Sequence, residues 1–169
     1  TGYAAIADEW IPIKPGTDGA LFMALMHELV ANDLIDREFL QRYTNAPNLV
    51  VTDPGGERDG LFAFDPAGGP APDGRHPHNK LVWDRRSNAA QRAQTDAAQA
   101  VEPLLEGRFR LADGTPVATA FTLLKERLQA CTPAWAAAIT GIPADRIKHL
   151  AREIGETAMH RAFELPVAW

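Results

Sequence analysis

The chain has 169 residues, 46% of them hydrophobic and 23% charged, with a formal net charge of −5. That length supports one domain-sized core, and the acidic balance argues against a nucleic-acid-binding surface, which is usually basic. No apolar run reaches the roughly 20 residues of a membrane span, so no direct membrane insertion is expected; the single cysteine, Cys131, excludes an internal disulfide and a cysteine-ligated cluster made by this chain alone.

Taken in order, "EWIPIKPG" is apolar and punctuated by Pro12 and Pro15, and reads as an edge strand or an extended segment. Thr17 is placed to N-cap a helix in which Leu21, Leu25 and Leu29 recur, with Phe22 and Met26 beside them. Asn32-Asp33 breaks this helix, and Asp36 caps a second, short one running to about Tyr43. "NLVVT" reads as a strand. From Asp53 to Asn79 the chain is dense in Gly and Pro and reads as a long surface loop, with a short strand at "LFAF". "KLVWD" is a further strand, and "RRSNAAQRAQTDAAQAVE" a solvated helix or a flexible stretch. "GRFRLADGTPV" alternates and carries Asp113-Gly114, the signature of a hairpin.

The last third reads as helical. Val117, Phe121, Leu124 and Leu128 share a face. Thr132-Pro133 is an N-cap with proline at the first helical position, and Gly141 is a C-terminal stop. Pro143 opens a final helix striped by Ile147, Leu150, Ala151 and Ile154, and "AFELPVAW" closes as a strand. Strands mixed with helices segregated at both ends give an α/β or α+β chain.

The chemistry centres on "KPGTDGALFMALMHELV". A carboxylate at a helix mouth is stabilised by free N–H groups and the helix dipole, so capping alone explains Asp18. A second explanation is a nucleotide pocket. Guanine presents N1–H and an exocyclic amine side by side, and an ionised carboxylate, acceptor-only with two oxygens, takes both. Gly16 lets a ligand approach the backbone, and Lys14 suits a phosphate.

The stretch "ADEWIPIKPGTDGALFMALMHELVANDLIDREFLQRYT" resembles the molybdopterin oxidoreductases of the dimethyl sulfoxide reductase family at Ala7, Asp8, Trp10, Lys14 to Asp18, Ala20, Leu21, Leu34, Asp36, Phe39 and Tyr43. A second block, "TPAWAAAITGIPADRIKHLARE", is similar to a later stretch of the same family. The two blocks, within residues 4–50 and 121–155, come in the family's order. The resemblance implies an α/β fold: a nucleotide-binding lobe with parallel strands, a Gly/Pro-rich insertion and C-terminal helices. It divides the chain into a cofactor-binding segment at 1–52, a loop-rich insertion at 53–116, and a helical segment leading into a strand at 117–169.

It also implies a bis(molybdopterin guanine dinucleotide) cofactor carrying molybdenum or tungsten, with Gly16, Thr17 and Asp18 at one guanosine end, Asp18 on the base, and Lys14 beside them. The middle resembles members that process sulfur oxyanions and related compounds. The expected partners are the remainder of the catalytic subunit, which holds a 4Fe-4S cluster, a small-molecule substrate, and an iron–sulfur electron-transfer subunit, with no nucleic acid. Both ends of the chain read as cuts within a longer polypeptide; the compartment stays open, with the resemblance tilting to the periplasm. No catalytic residue or metal ligand is expected here, and the piece by itself is expected to be inactive.

Two other readings stand beside this one. Residues 133–155 have the helix, Gly-containing turn and helix of a helix-turn-helix, with Arg146, Lys148 and Arg152 as DNA contacts, against which Asp145, Glu153 and Glu156 interleave. The chain is otherwise a ligand-free structural fragment. His76 and His78 lack the further ligands that a structural metal site needs. His27 and Cys131 read as packed residues, and Trp10, Trp83, Trp135 and Trp169 as core anchors.

Overall fold

The structure, a computed structural model, describes residue 7 and residues 9–65, 80–93 and 101–160. Asp8, His76, His78, Trp169 and the "AFELPVAW" strand lie outside the described residues. The elements are α1 (Asp18–Ala31), α2 (Arg37–Tyr43), β1 (Leu49–Val51), β2 (Leu81–Asp84), β3 (Ala89–Arg92), β4 (Arg108–Arg110), β5 (Pro116–Thr119), α3 (Ala120–Leu128), α4 (Pro133–Thr140) and α5 (Ala144–His160). They fall into two compact units, residues 1–35 with 127–169, and residues 36–126. The expected segment boundaries at 52/53 and 116/117 both lie inside the second unit.

The first unit packs α1, α4 and α5 around Ala24, Leu25, Ala136, Ile142, Ile147 and Ala151. One alanine from each helix lies in this core, which lets the helix axes approach closely. Ile11 and Ile13, from the extended segment ahead of α1, pack against it. α1 ends in a Schellman motif: Leu34 N–H donates to Leu29 O at 2.9 Å, Asp33 N–H donates to Val30 O at 3.3 Å, and Asp33 takes the left-handed conformation at φ 54. The two leucines of the motif sit over Gly155 of α5, where a Cβ would lie 2.6 Å from Leu34 Cβ and 2.9 Å from Leu29 Cδ2. Gly155 is therefore the buried position on that turn of α5, while Ile154, expected in the apolar stripe, is 44% exposed. α4 follows its sequence signals: Thr132 Oγ1 accepts from Trp135 N–H, Pro133 leads, and Gly141 closes the helix in the left-handed conformation at φ 79. Cys131 is buried, and His27 Nδ1 is 2.8 Å from Leu128 O, as befits packed residues. Trp10 and Trp135 are 55% and 39% exposed and anchor no core.

The second unit holds a three-stranded sheet, β1-β5-β4, and a hairpin, β2-β3. Every strand pair is antiparallel, with Val50 opposite Ala118, Phe109 opposite Val117 and Trp83 opposite Ala90. The class is mixed α/β, but the expected parallel strands are absent among the described residues. The tight turns explain the two hairpins: Gly114 at φ 85 with Thr115 N–H on Asp113 Oδ1 between β4 and β5, and Asn88 at φ 49 between β2 and β3. Ala89–Arg92, expected in a helix or flexible stretch, is a strand because it completes the ladder of Leu81–Asp84. "LFAF" contributes single bridges at Phe62 and Phe64. Val117 lies in β5 rather than on a helical face, and Leu124 is exposed. Leu49, Val51, Ala63, Leu81 and Val117 form the core, and the Trp83 and Phe109 rings stack against it with centroids 4.3 Å apart.

Asp84 ties the β2-β3 turn to the chain at Glu102. Burial, at 6% exposure, disfavours its charge. Hydrogen bonds from the Ser87 hydroxyl at 2.7 Å, the Glu102 N–H at 2.8 Å and the Ser87 N–H at 2.8 Å outweigh that cost and pull its pKa from 3.8 to about 2. A depressed carboxylate pKa contributes stability that is present above the ordinary value and lost as pH falls through the folded one. Asp84→Ala should accelerate amide exchange at Ser87 and Glu102 by about 10-fold or more near neutral pH. The gap should narrow as pH falls from 3.8 toward 2; a pH-independent gap would contradict the ionic origin. Gly155→Ala, which gains up to about 1 kcal/mol in an unhindered helix, should instead cost about 1–3 kcal/mol by overpacking Leu34. A raised Tm would show that the leucines yield.

Candidate functional site

The loop ahead of α1 is a type II turn. Pro15 and Gly16 are its central residues, Gly16 sits at φ 79, and Thr17 N–H donates to Lys14 O at 3.2 Å. Positive φ at the third turn position is the reason for glycine here, and nothing lies within 4 Å of where a Cβ on Gly16 or Gly19 would project. Thr17 occupies the N-cap, but its hydroxyl does not cap α1; it donates backward to Lys14 O at 2.6 Å. The expected side-chain cap is thus replaced by a bond that closes the turn. Thr17 O accepts from Ala20 N–H at 3.0 Å. Among the described residues, no acceptor takes the N–H groups of Asp18 and Gly19, and no donor reaches the exposed Asp18 carboxylate.

The structure therefore brings Lys14, Gly16, Thr17 and Asp18 together on one turn. It presents two unpaired N–H groups at the positive end of a helix, an acceptor-only carboxylate and unobstructed space over the backbone. That set fits an anionic group bearing a donor pair, as a guanine nucleotide does.

The turn is held from behind by α4. Lys14 N–H donates to Thr140 O at 3.2 Å. Thr140 is buried, its hydroxyl donating to Ala136 O at 2.8 Å and accepting from Ile142 N–H at 3.1 Å. The turn of the first sequence block and α4 of the second thus belong to one compact unit. Thr140 and Gly141 are not legible in the sequence as site neighbours, since nothing local in "TGIP" announces a bond to Lys14.

Elsewhere in the first unit, Glu9, His149 and Glu153 place one ligand atom each within 4.8 Å of one another. Arg146 pairs with Glu9, and His149 Nε2 lies 3.6 Å from Glu153, which makes this an ion-pair network on the face of α5. Lys148 pairs with Asp145 at 3.5 Å. Two of the three cations expected to meet DNA, Arg146 and Lys148, are paired to carboxylates, which disfavours a helix-turn-helix reading. A groove of about 220 Å³ between α1 and α5, lined by Glu28, Lys148, Arg152 and Glu156 among others, is of mixed charge and does not include the turn.

No family model matches the chain. Its relatives are nonetheless of one class, oxidoreductases, matched over most or all of this chain and a small part of their own length. It is 52% identical to a sulfite dehydrogenase subunit of Allochromatium vinosum over 169 residues, 100% of this chain and 17% of that protein. It is 33% identical to the alpha chain of the perchlorate reductase of Dechloromonas aromatica over 86% of this chain and 18% of that protein. To dimethyl sulfoxide reductase DmsA of Escherichia coli it is 31% identical, over 89% and 12%. The chain belongs to the dimethyl sulfoxide reductase family of molybdopterin oxidoreductases, whose cofactor is molybdenum-bound molybdopterin, and corresponds to a segment of the catalytic subunit.

Because the Asp18 carboxylate is engaged, among the described residues, by nothing except its own helix N-terminus, Asp18→Asn should change stability by less than about 1 kcal/mol. Thermal denaturation checks this; a larger loss would mean the carboxylate has a structural task.

Proposed function

We propose that the turn Lys14–Asp18 binds one guanosine end of a molybdopterin guanine dinucleotide in the catalytic subunit of an oxidoreductase. The observation that carries this is the exposed Asp18 carboxylate beside unpaired helix N-terminal N–H groups, in a chain of this family. Asp18 accepts guanine N1–H and the exocyclic amine. The N–H groups of Asp18 and Gly19 and the ammonium of Lys14 face the phosphates. Gly16 keeps the approach open, and Thr17 fixes the turn through Lys14 O while its remaining lone pair faces the ligand. The cofactor-binding segment thus falls within residues 1–52 and is braced by α4.

In the intact subunit the bound molybdenum or tungsten supplies oxygen-atom or electron transfer. The reading extends to a sulfur or related oxyanion substrate, in keeping with the names of the relatives, to a 4Fe-4S cluster elsewhere in the same polypeptide and to an iron–sulfur partner subunit. This segment's part is to bind and orient one end of the cofactor, without a catalytic group of its own.

The test is Asp18→Ala and Asp18→Asn in the full-length subunit, reading molybdenum or tungsten, pterin and released GMP per protein. Losing two charge-assisted bonds of about 1.5–3 kcal/mol each should weaken guanine-nucleotide binding by about 100-fold or more. Cofactor content equal to wild type in both variants would reject the assignment.

A further inference from the structure

Periodicity counts Phe22 with the apolar stripe of α1, but the structure leaves it out of the core. Ala24 and Leu25 are buried in the core of the first unit and Leu21 packs against it, while Phe22 is 60% exposed. From Asp18 to Val30 the exposed residues of α1 are Asp18, Gly19 and Phe22 alone. Phe22 follows Asp18 by four positions, so the two are neighbours on one helix face, with Cβ atoms about 5–6 Å apart. Long helical side chains lean toward the helix N-terminus and cover the turn ahead of their own Cα, which directs Phe22 toward the turn of Asp18 and Gly19. Gly19 puts no side chain between them, and nothing lies within 4 Å of where its Cβ would project. The start of α1 thus presents an acceptor-only carboxylate, bare backbone and an aromatic ring outside the core on one small patch.

We propose that Phe22 is a binding residue for the purine ring: its aromatic face stacks on the guanine whose edge Asp18 holds. The inference rests on the reading of Lys14–Asp18 as a guanosine-binding turn. Two hydrogen bonds to one carboxylate fix the edge of the base. They leave both faces of the ring in water and the ring free to tilt. An aromatic surface one helical turn away supplies the missing face contact. Stacking of a base on an aromatic side chain strengthens association by about 5-fold or more. Stacking is tolerant of base identity because every base has a π-face. Phe22 therefore adds affinity, and the choice of guanine stays with Asp18.

The experiment measures Kd for GDP and for guanosine on the cofactor-depleted full-length subunit by titration calorimetry, with Tm read for every variant. Phe22→Ala should weaken both ligands about 5-fold or more, and by the same factor, since the base carries the effect. Phe22→Leu keeps an apolar side chain without a ring face and should match Phe22→Ala, whereas Phe22→Tyr should bind as wild type. Alanine and leucine are good helix formers, so α1 is retained in both. Asp18→Ala should also weaken both ligands and reports on the guanosine-site reading separately. If Asp18→Ala acts while Phe22→Ala leaves both Kd values unchanged, the stacking role is wrong and the site stands. A Phe22→Ala that lowers Tm without moving either Kd places the ring against the rest of the subunit and overturns the role equally. Wild-type affinity in Phe22→Leu would mean an apolar contact and no stacking. If Asp18→Ala changes neither Kd, or neither ligand binds the wild-type protein, the guanosine-site reading falls and this one with it.

Discussion

One main-chain hydrogen bond, from Lys14 N–H to Thr140 O, joins the turn ahead of α1 to the end of α4. Everything claimed for the turn depends on it. A type II turn closed by Thr17 has a defined shape, but shape without a fixed support does not place a carboxylate for a ligand. The support is a helix terminus whose own geometry is determined by a buried threonine and a left-handed glycine. The turn is thereby part of the packed three-helix unit, and its exposed groups sit on a rigid base. Preorganisation of this kind lets binding energy go into recognition rather than into ordering a loop.

The division of labour within the turn is chemical. Thr17 spends its hydroxyl proton on the turn and leaves α1 without a side-chain cap. That omission is what keeps the first N–H groups of the helix available. An ordinary capping threonine would have satisfied one of them and raised the cost of binding an anion there. The usual side-chain cap is thus missing at α1, the helix end for which we propose a ligand, and departures from local rules of this kind are expected at functional sites.

What is legible in the sequence is local. The Thr132-Pro133 start and Gly141 stop of α4, the Asp36 cap of α2 and the Asp113-Gly114 hairpin are each written within a few residues, and each stands in the structure. Ala89–Arg92 misleads because its alanines and polar residues favour a helix in isolation, whereas its partner strand decides the matter. The expectation of parallel strands comes from the family's lobe as a whole and not from any local turn. Periodicity puts Ile154 in the stripe, and it cannot know that two leucines from the end of α1 demand a glycine one position later. For the site, residue types and their clustering are legible; Thr17's backward bond and the role of Thr140 and Gly141 are not, since the site's support is set by a chain segment remote in sequence.

Among the described residues the β1-β5-β4 sheet ends on β4, whose outward residues are Arg108 and Arg110, the first bonded to both oxygens of Glu126 at 2.7–2.8 Å. An open strand edge is a template for pairing with another chain, and guanidinium groups flanking it make a second strand's approach electrostatically and sterically unfavourable. Arg110 is left as the flanking cation on this edge, since Arg108 is already neutralised by Glu126, and the Arg110 guanidinium donates one bond to Gly114 O across the β4-β5 turn.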